Sequence, residues 1–271
     1  MEGTLAIIGT GRIGEALLRG LLRSSWVAPG QVICTARRQE RCMELERDHS
    51  VKTTLDNREA VEAADVVLVA LKPQTILQVL TEVRDAFRSD HTLISLAAGT
   101  TTASIETVVG EDVPVVRVMT NTPVQVDEAM SVVCAGAHAR DEDLAVAEAI
   151  LSHVGRVVRL DEEHLNSITA LSGSGPAYFF LLAEAMIDAG ILLGLPRDLS
   201  TELIVQTMVG SAKMLRDTGR HPVELREMVT SPGGTTIAAI RELEAARVRA
   251  AFLDAIEAAK LRGDELAAGE H

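Results

Sequence analysis

Two short segments carry residue types that could do chemistry. Gly9-Thr10-Gly11-Arg12-Ile13-Gly14 follows an apolar strand-like run and opens a helical pattern. Gly9 suits a tight turn, Gly11 lets backbone approach a pyrophosphate, and Gly14 allows the helix to pack closely on the strand. Free N–H groups at the helix start, helped by the helix dipole, would hold the anion. A lone G-x-G-x-x-G is weak evidence, but this one stands at the head of a β-α-β chain; a glycine-rich turn without a ligand is the alternative. Near the other end, Ser231-Pro232-Gly233-Gly234-Thr235-Thr236 also precedes a helix. A carboxylate docked there would accept from the first backbone N–H groups and from the Ser231 or Thr235 hydroxyls. The competing reading is that Ser231 and Thr235 simply cap that helix.

The second strand tells which dinucleotide the first loop would take. An NAD site usually ends that strand with an acid that binds the ribose hydroxyls. This chain reads Thr35-Ala36-Arg37-Arg38, with no acid before Glu40. Thr35, Arg37 and Arg38 would bind a 2′-phosphate that a carboxylate would repel. NADPH is therefore expected, with NADH as the less preferred coenzyme; otherwise the two arginines are the solvated start of a helix. Further segments lie where such a sheet holds its ligand. Ala70-Leu71-Lys72-Pro73 follows one strand and Ala97-Ala98-Gly99 another, small enough for ribose and nicotinamide to lie against backbone. Lys72 can donate to a ribose or phosphate oxygen, or is a surface lysine before a proline. Asn57, at a helix start, either reaches the adenine ribose or caps the helix.

The elements that must position these groups are legible from periodicity. Over the first 160 residues, Leu5–Ile8, Gln31–Thr35, Val66–Ala70, Leu93–Ser95, Val115–Met119, Met130–Ala135 and Arg156–Arg159 read as strands. Helical spacing covers Arg12–Ser24, Arg38–His49, Pro73–Phe87, Thr101–Val109 and Asp141–Ser152. Strands that are apolar throughout point to a parallel sheet covered on both faces. The expected fold is an α/β Rossmann-type doubly wound sheet over residues 1–160, then an all-α domain over 161–271. Helices are expected from Pro176 to a stop at Gly190 or Gly194, over Asp198–Thr218, after Pro222, and from Thr235 to about Leu261 with a break near Ala246. The tail Gly263–His271 is expected to fray. The Pro176 helix is apolar on nearly every face up to Ala183, so it needs cover on all sides. A second subunit would supply it, or the chain's own sheet domain.

Composition narrows the function. With 26 Lys+Arg against 39 Asp+Glu, the formal charge of −13 argues against a nucleic-acid binder. The core must be aliphatic, because only one Trp, one Tyr and four Phe are present. Cys34, Cys42 and Cys134 show no zinc or disulfide spacing, and the seven histidines form no ligand motif, so no metal is expected. The start Met1-Glu2-Gly3 leaves no room for a signal peptide, and Leu165–Ala183 is a poor membrane span. A cytoplasmic protein is expected.

Beyond these readings, the chain resembles the pyrroline-5-carboxylate reductases along nearly its whole length. The residues are Arg117-Val-Met-Thr-Asn-Thr-Pro123, Thr169-Ala-Leu-Ser-Gly-Ser-Gly-Pro-Ala-Tyr178, Asp188-Ala-Gly190, Gly194-Leu-Pro-Arg197 and Val229-Thr-Ser-Pro-Gly-Gly-Thr-Thr-Ile237. The resemblance implies NAD(P)H-dependent reduction of the cyclic imine 1-pyrroline-5-carboxylate to L-proline. It implies a helical homodimerisation domain, often assembled further into rings of dimers, and an active site shared between subunits. It implies that Thr236 contacts the ring nitrogen and stands closest to proton transfer. Ser231, Gly233, Gly234, Thr235 and Glu162 would surround the substrate, while Asn121 and Ser174 would meet the cofactor. Thr120 departs from a common proline, which implies a looser turn, and Met228 from a polar residue. The rivals are a 3-hydroxyacid dehydrogenase or imine reductase of the same plan, and an idle NADPH-binding scaffold. The first generally needs a lysine or acid beside the substrate, and no lysine lies between Leu160 and Ala212.

Overall fold

A computed structural model describes residues 3–267 and divides them into two compact units. One takes the chain up to Ser174 together with the segment from Lys260; the other is Gly175–Ala259.

The first unit is built on eight strands: β1 Leu5–Ile8, β2 Val32–Thr35, β3 Lys52–Thr54, β4 Val66–Val69, β5 Thr92–Ser95, β6 Val115–Met119, β7 Ala129–Ala135 and β8 Gly155–Arg159. They lie in the order β3-β2-β1-β4-β5-β6-β7-β8. Helices α1 Arg12–Arg23, α2 Gln39–His49, α3 Asn57–Glu62, α4 Pro73–Val83, α5 Thr102–Val109 and α6 Asp141–Leu151 join them. Alternate residues of β1 enter different cores. Leu5 and Ile7 pack with Leu17, Leu18 and Leu21 of α1, whereas Ala6 and Ile8 pack with Ile76 and Leu80 of α4. Cover on both faces is the reason the strand has no polar position.

Three features depart from the sequence reading. β3 is a three-residue edge strand of Lys and Thr, too short and polar to show a period. Asp56 caps α3, its carboxylate accepting from Arg58 N at 2.9 Å, so Asn57 is the first helical residue and not the cap. β7 runs antiparallel to β6, while the other neighbours are parallel. Only residues 120–128, with the short turn Thr122–Val126 among them, separate the two strands, too little for the crossover a parallel pair needs.

After β8 the described residues contain no strand. The strands end at the expected place, but the sheet unit continues through α7 Leu165–Ile168 and a π turn at Thr169–Gly173. Leu165 explains this, because it packs with Met119, Val132 and Cys134 of the sheet. Then follow α8 Gly175–Leu192, α9 Arg197–Thr218, α10 Pro222–Met228, α11 Thr235–Ala245 and α12 Val248–Ala267. The break between α11 and α12 falls at Arg247, in a left-handed conformation (φ 59°). Residues 263–267 are helical rather than frayed; 268–271 and the first two residues lie outside the described part. Gly190 does not stop α8. It sits within the helix where a Cβ would meet Ser200 Oγ at 2.6 Å, letting α8 and α9 pack closely. Phe179, Phe180, Leu181 and Leu182 of α8 remain exposed, Phe180 by 68%. By length and composition the helical run Glu162–Leu192 holds a stretch of 18 residues, mean hydropathy 1.4, apolar enough to cross a membrane.

Candidate active site

The dinucleotide loop is assembled where β1 ends beside β4, the point at which the strand order reverses and open α/β sheets bind ligands. Gly9 has φ 79°, and a Cβ there would collide with Leu71. A Cβ on Gly14 would stand 3.2 Å from Ile7 Cγ2 and 3.3 Å from Ala70 Cβ, so this glycine serves helix–strand packing. Gly11 is different. Its φ is −85° and a Cβ would meet nothing nearer than Gly9 O at 3.9 Å. The protein's own packing does not require that glycine, and space left beside the loop fits a ligand's approach. The amides of Arg12, Ile13 and Gly14 have no acceptor among the described residues. Open space and free N–H groups together fit a pyrophosphate.

The loop is pinned from beneath. Gly9 N donates to Thr35 Oγ1 at 3.0 Å, Thr10 N to Thr35 O at 2.8 Å, and Thr10 Oγ1 to Ile7 O at 3.1 Å. Thr35, expected to meet a 2′-phosphate, is instead 2% exposed and braces Gly9. Arg37 and Arg38 are exposed, with no ion pair among the described residues. Lys72 is exposed at the start of α4, ahead of Pro73, and Ala70 is tied to β1 through its N–H to Ile8 O at 2.9 Å. Ala97 is buried and offers only backbone; Ala98 and Gly99 (φ 71°) are exposed.

Two expected contacts are engaged elsewhere. Asn121 uses both ends of its amide, donating to Ser172 O at 3.1 Å and accepting from Met130 N at 3.0 Å. It ties β7 to the π turn. Thr120, expected to loosen this turn, bonds Ser131 Oγ at 2.9 Å. Glu162 accepts from Thr102 N at 2.9 Å and Thr102 Oγ1 at 2.7 Å, and pairs with Arg117 Nη1 at 2.8 Å. Both carboxylate oxygens thereby have partners, and Glu162 joins the first residue of α5 to Arg117 of β6. Burial pushes its pKa up, but Arg117 and Thr102 outweigh that and hold it below the ordinary range. Arg117, Glu162, Gly99, Thr101 and Asn166 line a pocket of about 260 Å³. On the surface, Asp161, Glu163 and His164 bring ligand atoms within 4.8 Å of one another, a grouping the spacing did not reveal.

The second unit carries the other loop. Gly233 turns it at φ 69°, and Gly234 is the N-cap of α11 with no side-chain cap. Ser231, Thr235 and Thr236 make no side-chain hydrogen bond among the described residues, so the capping alternative fails. Gly234 N donates to Ser231 O at 3.1 Å, closing the turn, while a Cβ on Gly234 would run into Ser231 Oγ. Three hydroxyls and the first helix amides are thus left for an anion. Ser174, half-buried, donates its N–H to Thr169 O at 2.8 Å and leaves its hydroxyl unengaged.

Sequence reasoning missed a charged cluster behind the first loop. Glu15, in the first turn of α1, pairs with Arg41 Nη2 at 2.5 Å and His49 Nε2 at 3.0 Å. Burial raises its pKa, but His49 and Arg41 more than compensate and hold it down. The only sequence signal was an acid and a base on different helices, whose meeting periodicity does not report.

A glycine-loop Rossmann unit followed by a helical unit is the plan of a nicotinamide-dinucleotide oxidoreductase. A profile described as pyrroline-5-carboxylate reductase dimerisation matches residues 162–266, and one described as NADP oxidoreductase coenzyme F420-dependent matches 4–99. The chain is 42% identical to a pyrroline-5-carboxylate reductase of Corynebacterium melassecola over 99% of both chains. It is 37% identical to that of Arabidopsis thaliana, over 97% of this chain and 95% of the relative. A reductase structure from Coxiella burnetii superposes with TM-score 0.92 at 36% identity, covering 98% of this chain and 99% of that one. The Plasmodium falciparum enzyme with NADP bound gives 0.88 at 27%, over 98% of each. The chain belongs to the pyrroline-5-carboxylate reductase family.

Proposed function

We propose that the chain reduces the C=N bond of 1-pyrroline-5-carboxylate with NADPH and forms L-proline, the last step of proline biosynthesis. Full-length likeness to enzymes of that name supports the reaction. The observation in the molecule that carries it is the Ser231–Thr236 turn, with free hydroxyls at an uncapped helix start. Bound NADPH supplies the hydride. The amides of Arg12, Ile13 and Gly14 hold its pyrophosphate, Arg37 and Arg38 select its 2′-phosphate, and Lys72 and Asn57 reach ribose or phosphate oxygens. Backbone at Ala70–Pro73 and Ala97–Gly99, with Ser174, walls the ring. Ser231, Gly233, Gly234 and Thr235 clamp the substrate carboxylate. Thr236 orients or relays the proton at the ring nitrogen; a hydroxyl is a weak acid, and an imine arriving protonated needs no stronger one. Orientation by such a clamp supplies much of the rate, since misplacement by about 1 Å costs around a hundredfold.

The exposed apolar face of α8 is covered by a second copy in a homodimer, which can build rings of dimers. Three buried, unpaired cysteines support a cytoplasmic setting. The deciding assay follows NADPH oxidation with pyrroline-5-carboxylate, 3-hydroxyacids and other imines. Oxidation confined to pyrroline-5-carboxylate is expected; preference for another substrate would overturn the assignment.

A further inference from the structure

The Glu15–Arg41 pair lies outside every motif used above, yet it touches the dinucleotide loop. Arg41 approaches the Thr10 carbonyl through Nε at 3.4 Å and Nη2 at 3.5 Å, pairs with Glu15, and reaches Glu44 through Nη1 at 3.0 Å. The other polar groups of Thr10 are engaged as well: its N–H with Thr35 O and its hydroxyl with Ile7 O. Thr10 is thus fixed on all sides, and Arg41 closes the last one. Glu15 presents a second point. An acid in the first turn of an anion-binding helix adds negative potential where the pyrophosphate would sit, and the Arg41 guanidinium paired with Glu15 neutralises it. The guanidinium is already shared among three acceptors, unlike the exposed, unpaired Arg37 and Arg38.

We propose that Arg41, held by Glu15, is a positioning residue that locks Thr10 and screens Glu15, so that the loop meets a dinucleotide pyrophosphate preformed. This rests on the dinucleotide reading of the loop. Because the pyrophosphate is common to both coenzymes, Arg41 acts on NADPH and NADH alike, whereas Arg37 and Arg38 act only on the 2′-phosphate.

The test is coenzyme-fluorescence titration of the full-length protein with NADPH and with NADH, beside steady-state kinetics. Arg41→Met is expected to weaken both coenzymes about fivefold or more, with KM rising and kcat at saturating coenzyme falling less than twofold. Glu15→Gln loosens Arg41 but also removes the repelling charge, so it should weaken both coenzymes equally and by less than Arg41→Met, and the double variant should be no weaker than Arg41→Met alone. If Arg41→Met does not fold, Glu15→Gln carries the test. Weakening of NADPH alone would make Arg41 a 2′-phosphate ligand and overturn the proposal. So would unchanged affinity with only a lower melting temperature. Failure of the unsubstituted protein to bind either coenzyme would remove the dinucleotide reading and this proposal with it.

Discussion

Arg117 on β6 and Glu162 after β8 form an ion pair, Nη1 to Oε1 at 2.8 Å, with the arginine side chain only 8% exposed. The same carboxylate caps α5 through Thr102, so one acid joins a strand, a helix start and the segment leading to α7. The charged form is favoured in the folded state, its pKa lying below the ordinary 4.5. Its contribution is therefore complete above that value and is lost as pH falls through the lower folded value. Glu162→Gln should cost about 3 kcal/mol at pH 7, since Arg117 is left buried and unpaired. Thermal unfolding followed from pH 7 to pH 3 should show the gap between variant and unsubstituted protein closing at the acid end. A gap independent of pH would refute the linkage.

Gly9 and Gly11 should separate folding from binding. Gly9→Ala forces a side chain into φ 79° and against Leu71, and a loss of about 1 kcal/mol or more in stability is expected. Gly11→Ala has room in the chain itself and should change stability by no more than about 0.5 kcal/mol. Its NADPH affinity should nevertheless fall at least about tenfold as the Cβ meets the pyrophosphate. Chemical denaturation and coenzyme titration measure the two effects.

Replacing Arg37 and Arg38 together by Ala should raise KM for NADPH by about tenfold or more while leaving that for NADH within about twofold. Equal changes for both coenzymes would mean the arginines do not read the 2′-phosphate.

Thr236→Ala should lower turnover by roughly a hundredfold with NADPH binding nearly unaltered, because its hydroxyl has no structural partner to lose. Thr236→Ser should recover part of the rate. Turnover that survives the loss of the hydroxyl would take Thr236 out of the mechanism.

The sequence by itself determined the alternating strands and helices, both glycine turns and the place where strands cease. Each is set by local chemistry: β-branched runs, helical spacing, and glycines at 9 and 233 that take positive φ. Local pattern could also propose Thr35, Asn121 and Glu162 as ligand contacts, since their types suit the work. Only the tertiary structure decided what these groups bond within the chain. A hydroxyl, amide or carboxylate bonds whatever the fold brings within reach, and here that is Gly9, Ser172 and Met130, and Arg117 with Thr102. The same holds for the antiparallel β7, fixed by a connection too short to cross the sheet, and for Glu15 meeting Arg41 across 26 residues. Spacing along a chain records periodicity, whereas partnership between side chains is settled when separate elements pack.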